Sequence, residues 1–330
     1  MMPFRLSRRR LLATASLLAV PMGVGEAAAA EGDFAGFLAG MRRDALAQGI
    51  RPGTVDFVLR SAEYLPRVIE LDRKQPERRL SFAEFLNKVV TQQRLDAARA
   101  KAAENLSLLQ QVRQRFNVQP RFIVALWGIE SDFGKTMGNY AVVSALATLA
   151  FDGRRSTFFR GELIAAMRIL DQGHIRPEAM MGSWAGAMGQ CQFMPSTFLS
   201  YAVDLDGDGR RDIWTNRADV LGSIANYLAR LGWHGDEGWG REVSVPGNID
   251  TSVASLDVRR PISEWSRSGI RARDGGALAG RDVSASLLMP DGAGGPAILV
   301  TDNFRAIMKW NKSVPFATSV GMIADGIDRG

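Results

Sequence analysis

The chain has 330 residues, 46% hydrophobic and 23% charged, which suits a folded soluble protein and excludes intrinsic disorder and collagen-like structure. The formal net charge is +6, but Arg5, Arg8, Arg9 and Arg10 against Glu26 put +3 in the first 30 residues, so the remaining +3 is no argument for nucleic acid. The single cysteine, Cys191, excludes an intrachain disulfide and a Cys-rich metal site; the two histidines, His174 and His234, exclude multi-histidine zinc enzymes and leave few candidates for a serine–histidine triad.

Residues 1–30 read as a secretory signal. A basic start precedes an apolar run from Leu11 to Val24 and the small residues Ala27 to Ala30, after which the cut is expected. The run is too short for a spanning helix of ~20 residues. Ser7-Arg8-Arg9-Arg10-Leu11-Leu12 resembles the twin-arginine signal, which exports folded proteins; the alternative is an ordinary secretory signal with a chance arginine pair. No cysteine follows the run directly, so no lipid anchor is expected, and no later segment has 18 consecutive apolar residues.

After that segment the pattern is mostly helical. Phe34, Phe37, Leu38 and Met41 follow helical spacing up to Gly49. Ser81 and Glu84 form a capping-box pattern ahead of the stripe Phe82, Phe85, Leu86 and Val89. Residues 92–116 are one run of good helix formers. Pro120 suits a first helical turn, and Phe122 to Ile129 is nearly all apolar, as a helix buried in a core should be. From about residue 240 the character changes: Val243 to Val245 and Ala297 to Val300 read as short strands, with turns at Gly275-Gly276 and Asp291-Gly292. The expected class is α+β, mainly helical.

Two features carry chemistry. Glu130 ends the apolar run, where burial makes ionisation costly and raises a carboxyl pKa. A carboxylic acid still protonated near neutral pH can donate a proton to a leaving oxygen, which glycosidic cleavage needs. The bland alternative is a buried glutamate paired with an arginine. The second feature is Asp204-Leu205-Asp206-Gly207-Asp208-Gly209-Arg210-Arg211-Asp212, with Asp204, Asp206, Asp208 and Asp212 at positions 1, 3, 5 and 9, Gly209 at the turning position 6 and Arg210 at position 7 of a calcium-type loop. The usual glutamate at position 12 is Thr215 here. The alternative is an acidic turn with no ion, although carboxylates this close repel one another without a cation.

Longer blocks set Glu130 in context. Trp127-Gly128-Ile129-Glu130-Ser131-Asp132-Phe133-Gly134 is followed by Ala145 to Phe151, then Arg154-Arg155, then Gly182 to Ser196 with Gly189-Gln190-Cys191-Gln192-Phe193-Met194-Pro195. In this order, and over about Phe34 to Ile327, the chain resembles the lytic murein transglycosylase B family, glycoside hydrolase family 103. The resemblance implies a lysozyme-like core of about residues 110–235 plus a C-terminal segment, an extra N-terminal helical subdomain and a small β region of about 240–300, together one catalytic unit over 31–330. It implies cleavage of the β-1,4 bond between N-acetylmuramic acid and N-acetylglucosamine in peptidoglycan, with 1,6-anhydro-N-acetylmuramic acid as product. It makes Glu130 the catalytic acid and base, puts Ser183, Gln192, Tyr227 and Asn311 against sugar, and Arg154 and Arg155 near peptide or muramyl carboxylates. Trp310 and Phe316 stand where tyrosines are usual, so ring area is kept and two phenolic hydroxyls are lost. It also implies Asp219 as the closing ligand of the acidic loop, with a structural Ca2+ and no cofactor for the chemistry. The expected partners are peptidoglycan glycan strands and other cell-wall enzymes, with no nucleic acid and no membrane anchor, in the periplasm.

A two-carboxylate glycosidase needs its second carboxylate across the bond. Asp132, two residues on, is a poor second catalyst from this helix, because i and i+2 do not share a helix face. A route through one carboxylate and the substrate's own N-acetyl group and C6 hydroxyl fits better. The rivals are a muramidase that admits water and a catalytically idle, calcium-stabilised murein-binding protein. Cys191, Met188 and Met194 read as packing; Trp127 and Trp184 suit either core or a sugar platform.

Overall fold

The computed structural model describes residues 24–74 and 80–328. The signal-like segment up to Gly23 lies outside the described residues. Helix α1 (Val24–Ala47) gives way to a turn in which Gly49 adopts φ +78°, and α2 (Pro52–Arg60) and α3 (Pro66–Arg73) each start on a proline. Next come α4 (Phe82–Val89), α5 (Gln92–Glu104), α6 (Leu106–Phe116) and α7 (Pro120–Ser131). The short strand β1 (Tyr140–Ala141) leads into α8 (Val142–Phe151) and α9 (Ser156–Asp171); β2 (Met181–Gly182), α10 (Pro195–Tyr201) and α11 (Arg217–Arg230) follow. The last stretch holds β3 (Gly240–Ser244), β4 (Arg260–Pro261), α12 (Ile262–Arg267), β5 (Arg271–Ala272), β6 (Ser284–Leu288), β7 (Ala297–Val300), α13 (Asp302–Trp310) and α14 (Val314–Asp328). The mainly helical α+β class read from the sequence is the class observed.

The Ser81–Glu84 capping box forms: the Ser81 hydroxyl accepts the Glu84 N–H at 3.2 Å, and the Glu84 carboxylate accepts the Ser81 N–H at 2.9 Å. The run 92–116 is not one helix. It breaks at Asn105, whose amide donates back to the Lys101 carbonyl at 2.8 Å and competes with the helical ladder; α5 ends and α6 begins on that residue. The β region starts at Gly240, slightly ahead of the expected strand, and Val245 falls outside it.

The chain divides into two compact units. One contains the described part of 78–129 and of 224–330. In it the antiparallel sheet runs β4-β6-β7-β3-β5, with Glu242 opposite Ile298 and Leu287 opposite Leu299. Its core collects Val243, Trp265, Ile270, Leu287 and Leu299, and the Trp265 indole N–H finds the Ala285 carbonyl at 3.0 Å. In the helical part the Trp239 ring lies against Gly321 of α14 so closely that a Cβ there would sit 2.2 Å from it, and the indole N–H donates to Asp325 at 3.0 Å.

The other unit contains the described part of 8–77 and residues 130–223. Its centre is α8, buried from Val142 to Ala150, packed on α9. Ser144 and Thr148 of α8 accept the backbone N–H groups of Glu63 and Leu65 at 3.1 and 3.0 Å, which seats the start of α3. Buried Glu162 of α9 caps α10 by accepting the Ser196 N–H at 2.9 Å and its hydroxyl at 2.7 Å, fixing the end of the 182–196 loop.

Candidate active site

Residues Phe122 to Trp127 of α7 are fully buried, and Glu130, the penultimate residue of the helix, is 7% exposed. The chain then leaves the helix through three consecutive left-handed residues, Asp132 (φ +48°), Phe133 (φ +59°) and Gly134 (φ +89°). Such conformations cost a non-glycine residue roughly 1–2 kcal/mol each and persist only where the surroundings impose them. Ser131 ties the turn together: its hydroxyl accepts the Gly134 N–H at 3.1 Å and its carbonyl accepts the Thr136 N–H at 2.9 Å. The helix therefore ends before Asp132, and the helical-face argument against that residue does not apply. What sets Asp132 apart is its ion pair with Lys135 at 3.4 Å, both side chains substantially exposed.

The 182–196 loop carries Ser183 and Gln192. Strand β2 pairs with β1, Gly182 opposite Tyr140. Ser183 closes a tight loop in which its N–H donates to the Ala187 carbonyl at 2.8 Å and its hydroxyl accepts the Ala187 N–H at 3.0 Å; the hydroxyl proton stays available to donate. Gln192 is buried and left-handed (φ +51°), and its amide donates to the carbonyls of Met137 at 3.0 Å and Gly189 at 2.8 Å. Those donors are spent on the backbone, leaving the amide oxygen to accept from a ligand N–H or O–H. Gly138 (φ +92°) lies on the same wall, against the Gly182 carbonyl.

Arg154 and Arg155 converge on buried Asp72 of α3. Arg154 donates to the Asp72 carboxylate through Nε at 2.9 Å and to its carbonyl through Nη2 at 2.8 Å, and Arg155 pairs with the other carboxylate oxygen. The Arg155 guanidinium also stands 5.0 Å from the Phe159 ring centroid. Two cations on one anion leave an excess of one positive charge there. Asp72 went unnoticed in the sequence; the available signal was an acid on the buried Val68–Ile69 face of a short amphipathic helix.

The other unit holds Tyr227, Trp310, Asn311 and Phe316. Tyr227 of α11 donates its phenolic O–H to the Lys309 carbonyl at 2.9 Å and meets the Trp310 ring edge-on, centroids 4.6 Å apart. Trp310, Asn311 and Phe316 are buried, and the Asn311 side-chain oxygen has no hydrogen-bond partner. A buried amide oxygen without a donor carries a desolvation cost that an incoming ligand donor would relieve.

In the acidic loop, carboxylate oxygens of Asp204, Asp206 and Asp219 lie within 4.8 Å of one another. Asp204 is held by the N–H groups of Gly207, Asp208 and Gly209 at 2.6, 3.2 and 2.8 Å. Asp219 is fully buried and accepts the N–H groups of Leu205 and Asp212, both at 2.7 Å; burial pushes its carboxyl up to about 6 against those two hydrogen bonds, with Asp206 and Asp204 adding to the rise. Asp208 is not in this three-carboxylate group: its carboxylate accepts the Arg210 N–H at 2.8 Å and pairs with the Arg210 guanidinium at 3.2 Å, which leaves the Arg210 carbonyl, the ligand atom of position 7, uncommitted by that pair. Asp212 accepts the N–H groups of Trp214 and Thr215, both at 2.8 Å, and the Thr215 hydroxyl, so position 12 closes on the loop itself. Three clustered carboxylates with one raised pKa fit a hard cation with oxygen ligands.

A family model described as transglycosylase SLT domain matches residues 33–325. The chain is 34% identical over 217 residues to the membrane-bound lytic murein transglycosylase B of Escherichia coli K12, a match covering 65% of this chain and 58% of that protein. Among solved structures, SltB3 of Pseudomonas aeruginosa in complex with NAG-anhNAM-pentapeptide matches with a TM-score of 0.87 and 43% identity over 90% of this chain and 80% of that one. The E. coli lytic transglycosylase Slt35 in complex with calcium matches with a TM-score of 0.74 and 26% identity, covering 90% and 93% of the two chains.

Proposed function

Because this chain belongs to the transglycosylase SLT domain family, with the lysozyme-like fold of its lytic transglycosylase relatives, we propose that it is a peptidoglycan lytic transglycosylase that cleaves the β-1,4 bond between N-acetylmuramic acid and N-acetylglucosamine. The observation that carries this reading is Glu130: one carboxyl, 7% exposed, at the end of an apolar helix and beside a left-handed turn. Its proton goes to the glycosidic oxygen as that bond to C1 breaks. The substrate's N-acetyl group supports C1, the C6 hydroxyl returns its proton to Glu130, and its oxygen closes on C1. No water is consumed. The tethered hydroxyl has the high effective molarity of an intramolecular nucleophile.

Ser183 and Gln192 supply a donor and an acceptor for sugar and N-acetyl groups, and Asn311 supplies a further acceptor. Arg154 and Arg155 form a positively charged position suited to carboxylates. Tyr227 and Trp310 form an aromatic pair whose part is packing and ring contact, and buried Phe316 contributes packing. The relative bound to NAG-anhNAM-pentapeptide supports glycan strands with stem peptides as the substrate class. The signal-like residues 1–30 and a cell-wall substrate support a periplasmic catalytic unit over 31–330; among the described residues no helix is long and apolar enough to cross a membrane. The experiment is a digest of purified sacculi by the isolated protein, read by mass. Anhydro ends, one water lighter than reducing ends, are expected; mainly reducing muramic acid ends would make it a muramidase, and intact strands a binding protein.

Asp204, Asp206 and Asp219 would hold a structural Ca2+, a reading supported by the calcium-bound relative. The ion would neutralise carboxylates that otherwise repel and would take no part in the reaction. An ion that binds only the native state at 100 times its Kd adds about 2.7 kcal/mol. We therefore expect calcium to raise the melting temperature, chelator to lower it, and Asp206→Ala to abolish the difference. A melting curve indifferent to both calcium and chelator rules the site out.

A further inference from the structure

Gln190 is absent from the chemistry above, yet it touches two features of its unit, the turn after Glu130 and the end of the acidic loop. Its backbone N–H donates to the Ile213 carbonyl at 2.8 Å, and its side-chain Nε2 donates to the Trp214 carbonyl at 2.8 Å. The preceding Gly189 is left-handed (φ +60°) and lies so close to Ile213 that a Cβ would stand 2.6 Å from its carbonyl oxygen. The other face of the Gln190 amide is pressed on the turn: a Cβ at Gly134 would meet its Oε1 at 2.6 Å and its Cδ at 2.8 Å. The support behind it is rigid, because Asp212 holds the N–H groups of Trp214 and Thr215 while its own N–H is held by buried Asp219.

We propose that Gln190 is a positioning residue for Glu130, the strut through which the Ile213–Trp214 end of the acidic loop presses the Asp132–Gly134 turn into its left-handed form. Three successive left-handed residues do not hold themselves there, and this turn sets where α7 stops and so where the Glu130 carboxyl sits. A glutamine suits the place because it is long enough to cover Gly134 and carries a donor for Trp214 at its tip. The inference deepens the proposed function and rests on Glu130 as the acid and base.

The test uses the full protein with Gln190→Ala, which removes the strut, and Gln190→Glu, which keeps its length but faces the Trp214 carbonyl with an acceptor. Amide hydrogen exchange, resolved by residue, should speed up at least about ten-fold at Gly134 and Thr136 while α8 and α9 keep their protection, as a local opening requires. On glycan strands, kcat should fall on the order of 10- to 100-fold at unchanged KM, the scale of a displaced catalytic group. Wild-type exchange at Gly134 and Thr136 in both variants overturns the proposal, as does loosening spread evenly over the unit, or a change confined to KM. The exchange arm is independent of turnover, so a wild-type protein inactive on glycan would sink the Glu130 reading and leave the strut separately judged. Should Gln190→Ala fail to fold, Gln190→Glu decides the same question.

Discussion

Glu130→Gln should remove nearly all product release, by about 10²–10⁴-fold, while the melting temperature and binding to sacculi stay at wild-type values. The amide matches the carboxyl in size, so a side chain only 7% exposed is replaced without a cavity or a clash. What it lacks is a proton to give to the glycosidic oxygen and the basicity to take one from the C6 hydroxyl. General acid–base catalysis is worth typically ~10²–10⁴-fold, and here one group serves both transfers. Asp132 lies beyond the end of the helix, in an exposed ion pair with Lys135, and is not expected to take over in place. A variant that still released more than a tenth of wild-type product would show that another residue is the catalyst.

The second large effect is expected at Gly138. Its φ of +92° is outside what an L side chain adopts comfortably, and an added Cβ would stand 2.1 Å from the Gly182 carbonyl oxygen and 2.5 Å from the Ser183 nitrogen. Both are backbone atoms, so β2 itself must move. Gly138→Ala should cost about 1–2 kcal/mol for the left-handed conformation and about 1–3 kcal/mol more for overpacking. The shift is delivered to Ser183, so turnover should fall along with stability, because misplacing a site group by about 1 Å can cost ~10²-fold. Gly49→Ala is the control: it is also left-handed (φ +78°), with no atom within 4 Å of the added Cβ, so only the conformational cost applies and turnover is kept. Equal melting temperatures and equal activities for the two variants would show that the close approach at Gly182 is unimportant.

Features written into neighbouring residues were legible in the sequence. The capping box at Ser81 and Glu84, the apolar helix that leads to Glu130, the acidic spacing of Asp204 and Asp206 and the strand at Ala297 to Val300 are all written as local residue patterns, although the strand is completed by pairing with β3 and β6. Features that turn on which partner a side chain takes were not. The break at Asn105 comes from one side-chain amide choosing a backbone carbonyl, which helix propensity averages away. The pairing of Arg154 and Arg155 with Asp72 was not legible, because that anion lies more than 80 residues earlier. Asp208 has the right spacing for a ligand, yet spacing cannot reveal that Arg210 claims its carboxylate. Of the left-handed exit after Ser131, Asp132 and Gly134 are residue types that accept such a backbone, whereas Phe133 is not, and the contact of Gln190 with the turn is not legible in the sequence.

The five-stranded sheet has borders that bear on how the protein behaves among copies of itself. Its outermost strands, β4 and β5, are two residues long each, Arg260–Pro261 and Arg271–Ala272. Pro261 has no N–H to offer a newcomer, and each border carries an arginine whose charge would have to be brought up against that of an incoming copy. The apolar strand β7 lies inside these borders, with Ile298, Leu299 and Val300 paired to β3 on one side and β6 on the other. A copy that adds a strand at either border therefore meets β4 or β5 first, and the proline and the arginines there work against the addition.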